Sequence, residues 1–398
     1  MPAPGESPDE TEAMEFLAAR GGPFYELQLR LGLLHERSLR VWRRAAIFVG
    51  LAWGVPLLIS AAEGHLLAPP GKGFLLDIAV LARFVLAVGL FVIAEGQVEP
   101  RLRAVLNQLR RAPLIAPASS AAAARAVVLA LKRRDSALAE VVFLAIAIVA
   151  SLFSLTNLEE TRAGSWAFRE SADGSGLTLA AWWCLLVSSP ILWFLLLREL
   201  WRHTVWGMLL YDLSKVELRL VVTHPDGRAG LAFLGRYPNA YALFILGISS
   251  MIGAVLARQL HDGVLAASTL GMVMAVWLAI VLALFIAPLT AFSVALAKLK
   301  EEALSVYGSQ ATAALRIAER KMAGRNVAVA GEKDAEGQPD IADPSKAFEA
   351  ARKMSISMLN RSALLPLAAA ALLPLAAAGV TVLPYKDLLS ILKKLLLL

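Results

Sequence analysis

The sequence predicts an all-α protein, a polytopic transmembrane helical bundle with its N-terminus in the cytoplasm. Of its 398 residues, 58% are hydrophobic and only 18% are charged, which excludes an ordinary soluble domain. Apolar runs of about 20 residues recur along the chain, and each is long enough to cross the hydrocarbon core of a bilayer. The connections between these runs are alternately rich and poor in Lys and Arg, as loops on opposite sides of a membrane are.

Six apolar runs are predicted to span the membrane, and together they make a membrane domain over residues 45–297. The runs are 45–62, 74–94, 137–156, 179–197, 241–257 and 264–297. Residues 1–44 form a cytoplasmic N-terminal segment, in which Phe24 to Arg44 is predicted to be one amphipathic helix. No cleaved signal peptide is expected, because the first apolar run begins only near Ala45.

The distribution of basic residues predicts the orientation. The connections on the side of the N-terminus hold 31 Lys and Arg, whereas those on the other side hold 4. This asymmetry predicts a cytoplasmic N-terminus and suits a multi-pass protein of the bacterial inner membrane. The basic surface is also a candidate for contact with anionic lipid headgroups. Nucleic acid is not expected as a partner, whereas a homo-oligomer is left open.

Two further regions follow the sixth span. Residues 298–361 are predicted to be a cytoplasmic helical region with a polar linker, in which Asp343 and Pro344 open a short helix that ends near Asn360. Residues 362–398 are a hydrophobic segment and an amphipathic tail. The hydrophobic segment is long enough to span, but a full crossing places the lysines of the tail outside, against the charge rule. Both a crossing and a re-entrant path therefore stay open, with the crossing favoured by length.

Charged residues within the apolar runs are the first candidates for function. Arg83 lies midway along the second run, where a guanidinium needs a partner or an aqueous path. It is therefore interpreted either as lining a path for an anion or as a clamp between helices through Glu95 or Glu140. Asp77, Glu95 and Glu140 lie close enough to the ends of their runs to be merely solvated, and a place on the transport path is the alternative for each.

Prolines that interrupt apolar runs are the second group of candidates. Pro190 and Pro288 interrupt the fourth and sixth runs, and Pro366 and Pro374 interrupt the C-terminal segment. Each removes a backbone donor, so that a carbonyl oxygen must find another partner. Transporters bind substrates and ions at broken helices, but ordinary kinks are common in membrane helices as well.

The third candidate is the loop before the fifth run, where His224, Asp226 and Arg228 fall close together. A turn opened by Pro225 and Asp226 explains the pattern, and a cytoplasmic gate or ligand site is the alternative. No catalytic, cofactor or metal motif is found in the sequence, since its five histidines are scattered and it has no His-Glu-x-x-His pair, phosphate-binding glycine loop or nucleophile elbow. The sequence therefore predicts a channel or secondary transporter for a small solute or ion, with anionic cargo favoured. A membrane scaffold or sensor that binds a partner through its cytoplasmic helices is the alternative, and an intramembrane enzyme is the third hypothesis.

Overall fold

Seven long helices form the membrane domain. The computed structural model describes residues 18–35, 39–67, 73–159, 166–171, 174–328, 343–359, 361–380 and 383–396. Within these ranges, seven helices are long and apolar enough to cross a membrane, and they are Val41–Ala62, Ile78–Arg111, Pro117–Ser154, Leu179–Ser214, Ala232–His261, Leu270–Ala323 and Ala363–Val380. The predicted all-α polytopic bundle is therefore confirmed.

The helices are labelled here in chain order. They are α1 (Pro23–Arg30), α2 (Val41–Ala62), α3 (Ile78–Arg111), α4 (Ser120–Arg134), α5 (Ala137–Glu159), α6 (Leu179–Ser214), α7 (Ala242–His261), α8 (Leu270–Ala323), α9 (Pro344–Lys353), α10 (Arg361–Val380) and α11 (Tyr385–Leu396). A 3₁₀ helix, Ala232–Tyr241, leads into α7, and β1 (Phe168–Ser171) pairs antiparallel with β2 (Gly174–Leu177). The face of the bundle from which α2 begins is called the N-terminal face, and the opposite face is called the far face.

The segment before the first span is bent rather than continuous. Helix α1 ends at Arg30, and the chain turns at Gly32, whose φ of 66° lies in the left-handed region that favours glycine. The prediction of one helix from Phe24 to Arg44 is therefore wrong. Since α2 begins at Val41, Arg44 belongs to a membrane helix and not to a solvated basic segment.

Helix α5 lies at the edge of the bundle. Between residues 137 and 154, where the side chains are described, most are exposed, and they include Leu138, Val141, Val149 and Phe153. Such a continuous apolar surface is unfavourable in water and suits contact with lipid tails.

Helix α10 passes through the bundle from one face to the other. At the N-terminal face, the carbonyl of Met358 lies against Gly235, and at the far face Gly379 packs on Leu270. The C-terminal apolar segment therefore has the course that the crossing alternative predicts. Helix α11 follows on the far face and exposes Lys386, Lys393 and Lys394.

Helix α8 continues far beyond the membrane, since its 54 residues extend about 80 Å at 1.5 Å per residue. Helix α9 packs back on this extension, where the Nζ of Lys300 donates to the carbonyl of Met354 at 2.6 Å. The side chain of Asp343 caps α9 by accepting from the backbone N–H of Lys346, as predicted. The helix ends at Lys353, however, before the predicted end near Asn360.

Candidate functional site

Six charged side chains are buried together near the N-terminal face, and each is at most 9% exposed. We call this group the Glu95 cluster, and its members are Arg44, Glu95, Glu140, Arg198, Glu199 and Arg202. The group holds three guanidiniums and three carboxylates, so it is neutral when all of them are ionised. Buried charges are tolerated when they are paired in this way.

Glu95 is the common acceptor of the cluster. Its Oε2 accepts a hydrogen bond of 2.7 Å from Arg44 on α2. Its Oε1 accepts from Arg198 at 3.0 Å and from Arg202 at 2.7 Å. The two arginines of α6 are four residues apart and therefore lie on the same side of that helix. One carboxylate on α3 thus joins α2 and α6 by charge-assisted bonds.

Glu140 connects the cluster to the segment before α2. Its Oε1 accepts from the Nε of Arg198 at 3.2 Å, and its Oε2 accepts from the backbone N–H of Phe24 at 2.7 Å. The chain approaches closely here because position 22 is glycine, with a φ of 86°. A Cβ at Gly22 would lie 2.8 Å from the Oε1 of Glu140. The start of α1 is therefore held by a carboxylate of α5.

Two arginines hold the same segment at other points. The Nη2 of Arg202 donates to the carbonyl of Ala19 at 2.9 Å. The Nε of Arg44 donates to the side-chain oxygen of Gln28 at 2.7 Å, and Gln28 is itself buried. The N-terminal segment thus closes over the cluster.

The depth of the cluster follows from the helix ends. Arg44 lies three residues after the start of α2, and Glu95 lies about 25 Å from the far end of α3. The cluster is therefore close to the N-terminal boundary of the membrane. From the sequence, Glu95 and Glu140 were likewise expected close to the ends of their apolar runs. The interpretation that they are merely solvated is wrong, because both are buried among helices and paired.

Arg83 lies apart from the cluster. Helix α3 begins at Ile78 and continues to Arg111, so Arg83 is about 8 Å from the far-face end and not midway. Its side chain is exposed on the outside of the bundle. Asp77 caps the same end of the helix, since it accepts from the N–H groups of Ala79 and Val80. The structure therefore does not bring Arg83 together with Glu95 or Glu140.

Four members of the cluster are not candidates from the sequence, because its three arginines are counted among the basic residues that orient the chain and Glu199 lies in the same polar stretch after the apolar run. They are Arg44, Arg198, Glu199 and Arg202. A signal was present on α6, where Arg198 and Arg202 are one turn apart in a helical pattern that continues the apolar run. Burial of such a pair indicates a site rather than an orientation signal.

Pro288 lies inside α8 near the cluster, and a side chain of α6 reaches the carbonyl that the proline leaves without a backbone donor. Proline cannot donate to Leu284, and the carbonyl of Leu284 lies 3.2 Å from the Nε2 of His203 on α6. The hydroxyl of Tyr237 donates to the next carbonyl, that of Phe285, at 2.7 Å. The proline ring itself packs against Gly207, where a Cβ would lie 3.2 Å from its Cγ.

Near Pro190 and Pro56, carbonyl groups likewise accept hydrogen bonds from side chains of neighbouring helices. Each proline follows a π-helical segment, Cys184–Ser188 or Gly50–Gly54, in which bonds extend five residues back. The carbonyl of Leu185 accepts from the hydroxyl of Ser151, and the carbonyl of Leu51 accepts from the indole of Trp183 at 2.9 Å. These hydrogen bonds therefore bind neighbouring helices together.

The two prolines of the seventh span, Pro366 and Pro374, both lie inside α10. The carbonyl of Pro374 lies against Gly253 of α7, where a Cβ would come within 2.7 Å of it. A small residue on α7 thus allows close packing at this point.

Hydrogen bonds made by Asp226 and Arg228 hold the loop that contains His224, Asp226 and Arg228 in place. Asp226 accepts from the N–H groups of Arg228 at 2.8 Å, Gly230 at 3.1 Å and Ala232 at 3.0 Å. Arg228 donates to the carbonyls of residues 357 and 359, which lead into α10. His224 lies 2.9 Å from Asp226. These contacts make the loop a clamp on the chain that enters the seventh span.

Asp226 should therefore contribute to stability in a pH-dependent way. Partial burial acts to raise the pKa of its carboxyl, but the three backbone donors and His224 outweigh it and hold the pKa below its usual value. Asp226→Ala should lower the free energy of unfolding by about 1–2 kcal/mol at neutral pH. Because the folded-state pKa is depressed, the stabilisation is complete above the ordinary aspartate pKa of about 4 and is lost as pH falls through the folded-state value.

Thermal unfolding in detergent at several pH values measures this effect. The difference in melting temperature between wild type and Asp226→Ala should become smaller in acid. Asp262 is exposed, so the control variant Asp262→Ala should melt like wild type. This role of Asp226 is contradicted if the two proteins have the same melting temperature at neutral pH. It is also contradicted if the difference in melting temperature stays constant as the pH falls.

No protein family model, curated protein or solved structure matches the chain. The function is therefore inferred from the geometry of the site.

Proposed function

We propose that this integral membrane protein is a channel or secondary transporter for a small anion, and that the Glu95 cluster closes its path at the N-terminal face. The N-terminal face is cytoplasmic in this proposal, in accord with the 28 basic residues that its connections hold when the buried Arg44, Arg198 and Arg202 are left out. The observation that carries the proposal is the convergence of three buried guanidiniums, from two helices, on one carboxylate.

The anionic preference follows from that convergence. Three guanidiniums in a membrane domain require a negative partner, because a buried charge without one is costly. Glu95 supplies this partner from within the chain and so occupies the position that an anionic solute would take. A solute anion that reaches the arginines can replace the bonds to Glu95 without leaving them unpaired.

The N-terminal segment supports a gate at this position. Residues 18–30 contact the bundle through hydrogen bonds that include those from Arg202 to Ala19, from Phe24 to Glu140, from Arg44 to Gln28 and from Arg20 to Glu99. Such polar contacts can be exchanged for water when helices separate, so that closed and open arrangements differ by a modest free energy. The segment would then move away when the cluster opens.

Anion flux into liposomes tests the proposal. The purified full chain should take up a small anion, with chloride, formate and acetate as probes, at a rate well above that of protein-free liposomes. Arg198→Lys keeps the charge but loses the planar guanidinium, so it should reduce the flux several-fold while the protein still folds. Arg111→Lys, an exposed position at the end of α3, is the matched control and should leave the flux unchanged.

The proposal fails if none of the probe anions moves faster than through protein-free liposomes. It fails equally if Arg198→Lys and Arg111→Lys transport at the wild-type rate. Melting curves of both variants in detergent separate a transport defect from unfolding.

A scaffold that binds a partner is the second candidate, and one observation favours it. On the part of α8 beyond the membrane, Leu315 is 60% exposed and Met322 is 88% exposed. They are seven residues apart and so lie on the same side of the helix. This function predicts no flux of any anion, which makes the liposome measurement the experiment that distinguishes the two candidates.

A further inference from the structure

A groove of about 760 Å³ opens on the N-terminal face, between the start of α2 and the second half of α3. Among the residues that the structure describes, its walls carry four positive side chains and one negative one, and these are Arg20, Arg40, Arg43, Arg103 and Glu99. The lining therefore has an excess of three positive charges when all are ionised. The Glu95 cluster, in contrast, is neutral.

The start of α2 forms one wall of the groove. The backbone N–H of Arg44 makes an intrahelical bond to the carbonyl of Arg40, at 3.0 Å. The amides of residues 41–43 precede it and have no acceptor within the helix, so the positive end of the helix dipole also faces this region. Arg40 and Arg43 are both exposed and add their charge at the same point.

Helix α3 forms the opposite wall. Glu99 and Arg103 are one turn apart on it, and Glu99 accepts from the Nε of Arg20 at 2.8 Å. The two walls approach closely at Gly96, where a Cβ would lie 2.9 Å from Val41. Glu99 balances one of the four arginines, so the groove as a whole remains positive.

The groove lies at the membrane boundary. The span begins at Val41, and the neighbouring Trp42, which also lines the groove, is 73% exposed. Exposed tryptophan next to the end of a span is typical of the level of lipid headgroups. A ligand that occupies this groove can therefore come from the bilayer or from solution.

We infer that the groove binds an anionic phosphate group, with Arg40 and Arg43 as its principal ligands. Guanidiniums bind phosphate oxygens through paired hydrogen bonds, and amides at the start of a helix favour the same charge. The headgroup of an anionic lipid and free inorganic phosphate share this chemistry. The inference does not depend on transport, because a lipid can bind here whether or not a solute crosses the membrane.

Calorimetric titration of the purified full chain in detergent tests the site. The probes are dihexanoyl phosphatidic acid, dihexanoyl phosphatidylcholine and inorganic phosphate. Phosphatidic acid should bind, and phosphatidylcholine, which has no net charge, should bind much more weakly. Arg40→Ala with Arg43→Ala should weaken the binding of phosphatidic acid roughly 30-fold, since each arginine near the surface contributes about fivefold. Arg111→Ala removes the same charge outside the groove and should change little.

The single variants Arg43→Glu and Arg43→Lys keep the test valid if the double variant does not fold. The first should abolish binding, and the second should retain most of it. Binding of phosphatidic acid with this pattern supports a lipid site, and binding of inorganic phosphate with the same pattern supports a site for free phosphate. The inference is overturned if neither probe binds, if phosphatidylcholine binds equally well, or if Arg111→Ala weakens binding as much as the groove variants.

Discussion

Replacing Glu95 with alanine should lower the free energy of unfolding by about 3–5 kcal/mol, the largest loss that we expect from a single substitution in this bundle. The carboxylate accepts hydrogen bonds from Arg44, Arg198 and Arg202, and all four side chains are buried. Its removal leaves three guanidiniums beside two remaining carboxylates, so one buried positive charge has no counterpart.

Thermal unfolding in detergent, followed by circular dichroism, measures this loss. Glu95→Gln keeps an acceptor oxygen and should be less damaging than Glu95→Ala. Glu301→Ala removes a carboxylate from the exposed extension of α8 and should melt like wild type. Equal melting temperatures for wild type and Glu95→Ala would sink the proposed role of Glu95 as the centre of the cluster.

A double substitution separates charge balance from simple loss of contacts. Arg44→Gln in the Glu95→Gln protein restores neutrality to the cluster, because two arginines then face Glu140 and Glu199. The double variant should therefore be more stable than the sum of the two single losses predicts. Strict additivity would indicate that the residues contribute separately and do not form one cluster.

The membrane domain could be predicted from the sequence because it depends on local properties. The length of an apolar run is sufficient to identify a span, and the same reasoning identified the seventh segment. The N-cap at Asp343 was also predictable, because the capping residue and its helix are adjacent in the chain. The lengths of the helices were underestimated where they leave the membrane, since apolar runs mark the hydrocarbon core and not the helix. Helices α3 and α8 both continue well beyond the predicted ends of their spans.

The candidate site could not be predicted in this way, because its contacts join helices that are distant in the chain. Arg44 and Glu95 are 51 residues apart, and Arg202 and Glu95 are 107 apart. A charge at the end of an apolar run has the same local pattern whether it is solvated or buried against another helix. The position of Arg83 also depends on where the helix ends. Arg83 lies midway along the apolar run 74–94, but it is close to one end of α3, which continues to Arg111.

Pro288 gives the second large effect, and here the sequence predicted a free carbonyl but not its donor. His203, which lies 81 residues from Leu284, supplies that donor. His203→Phe keeps an aromatic ring of similar size among Tyr241 and Phe285 but leaves the carbonyl of Leu284 unsatisfied. The free energy of unfolding should fall by about 1–3 kcal/mol.

A double-mutant cycle with Pro288→Ala isolates this hydrogen bond. Alanine restores the backbone N–H that can reach the carbonyl of Leu284, so His203→Phe should cost less in that background, with a coupling of about 1 kcal/mol or more. Loss of the packing between Pro288 and Gly207 cancels in the cycle. Tyr237→Phe is the matched control, because the carbonyl of Phe285, which accepts from this hydroxyl, is not the carbonyl whose backbone donor the proline removes. If His203→Phe costs the same with proline and with alanine at position 288, the imidazole does not replace the donor that the proline removes.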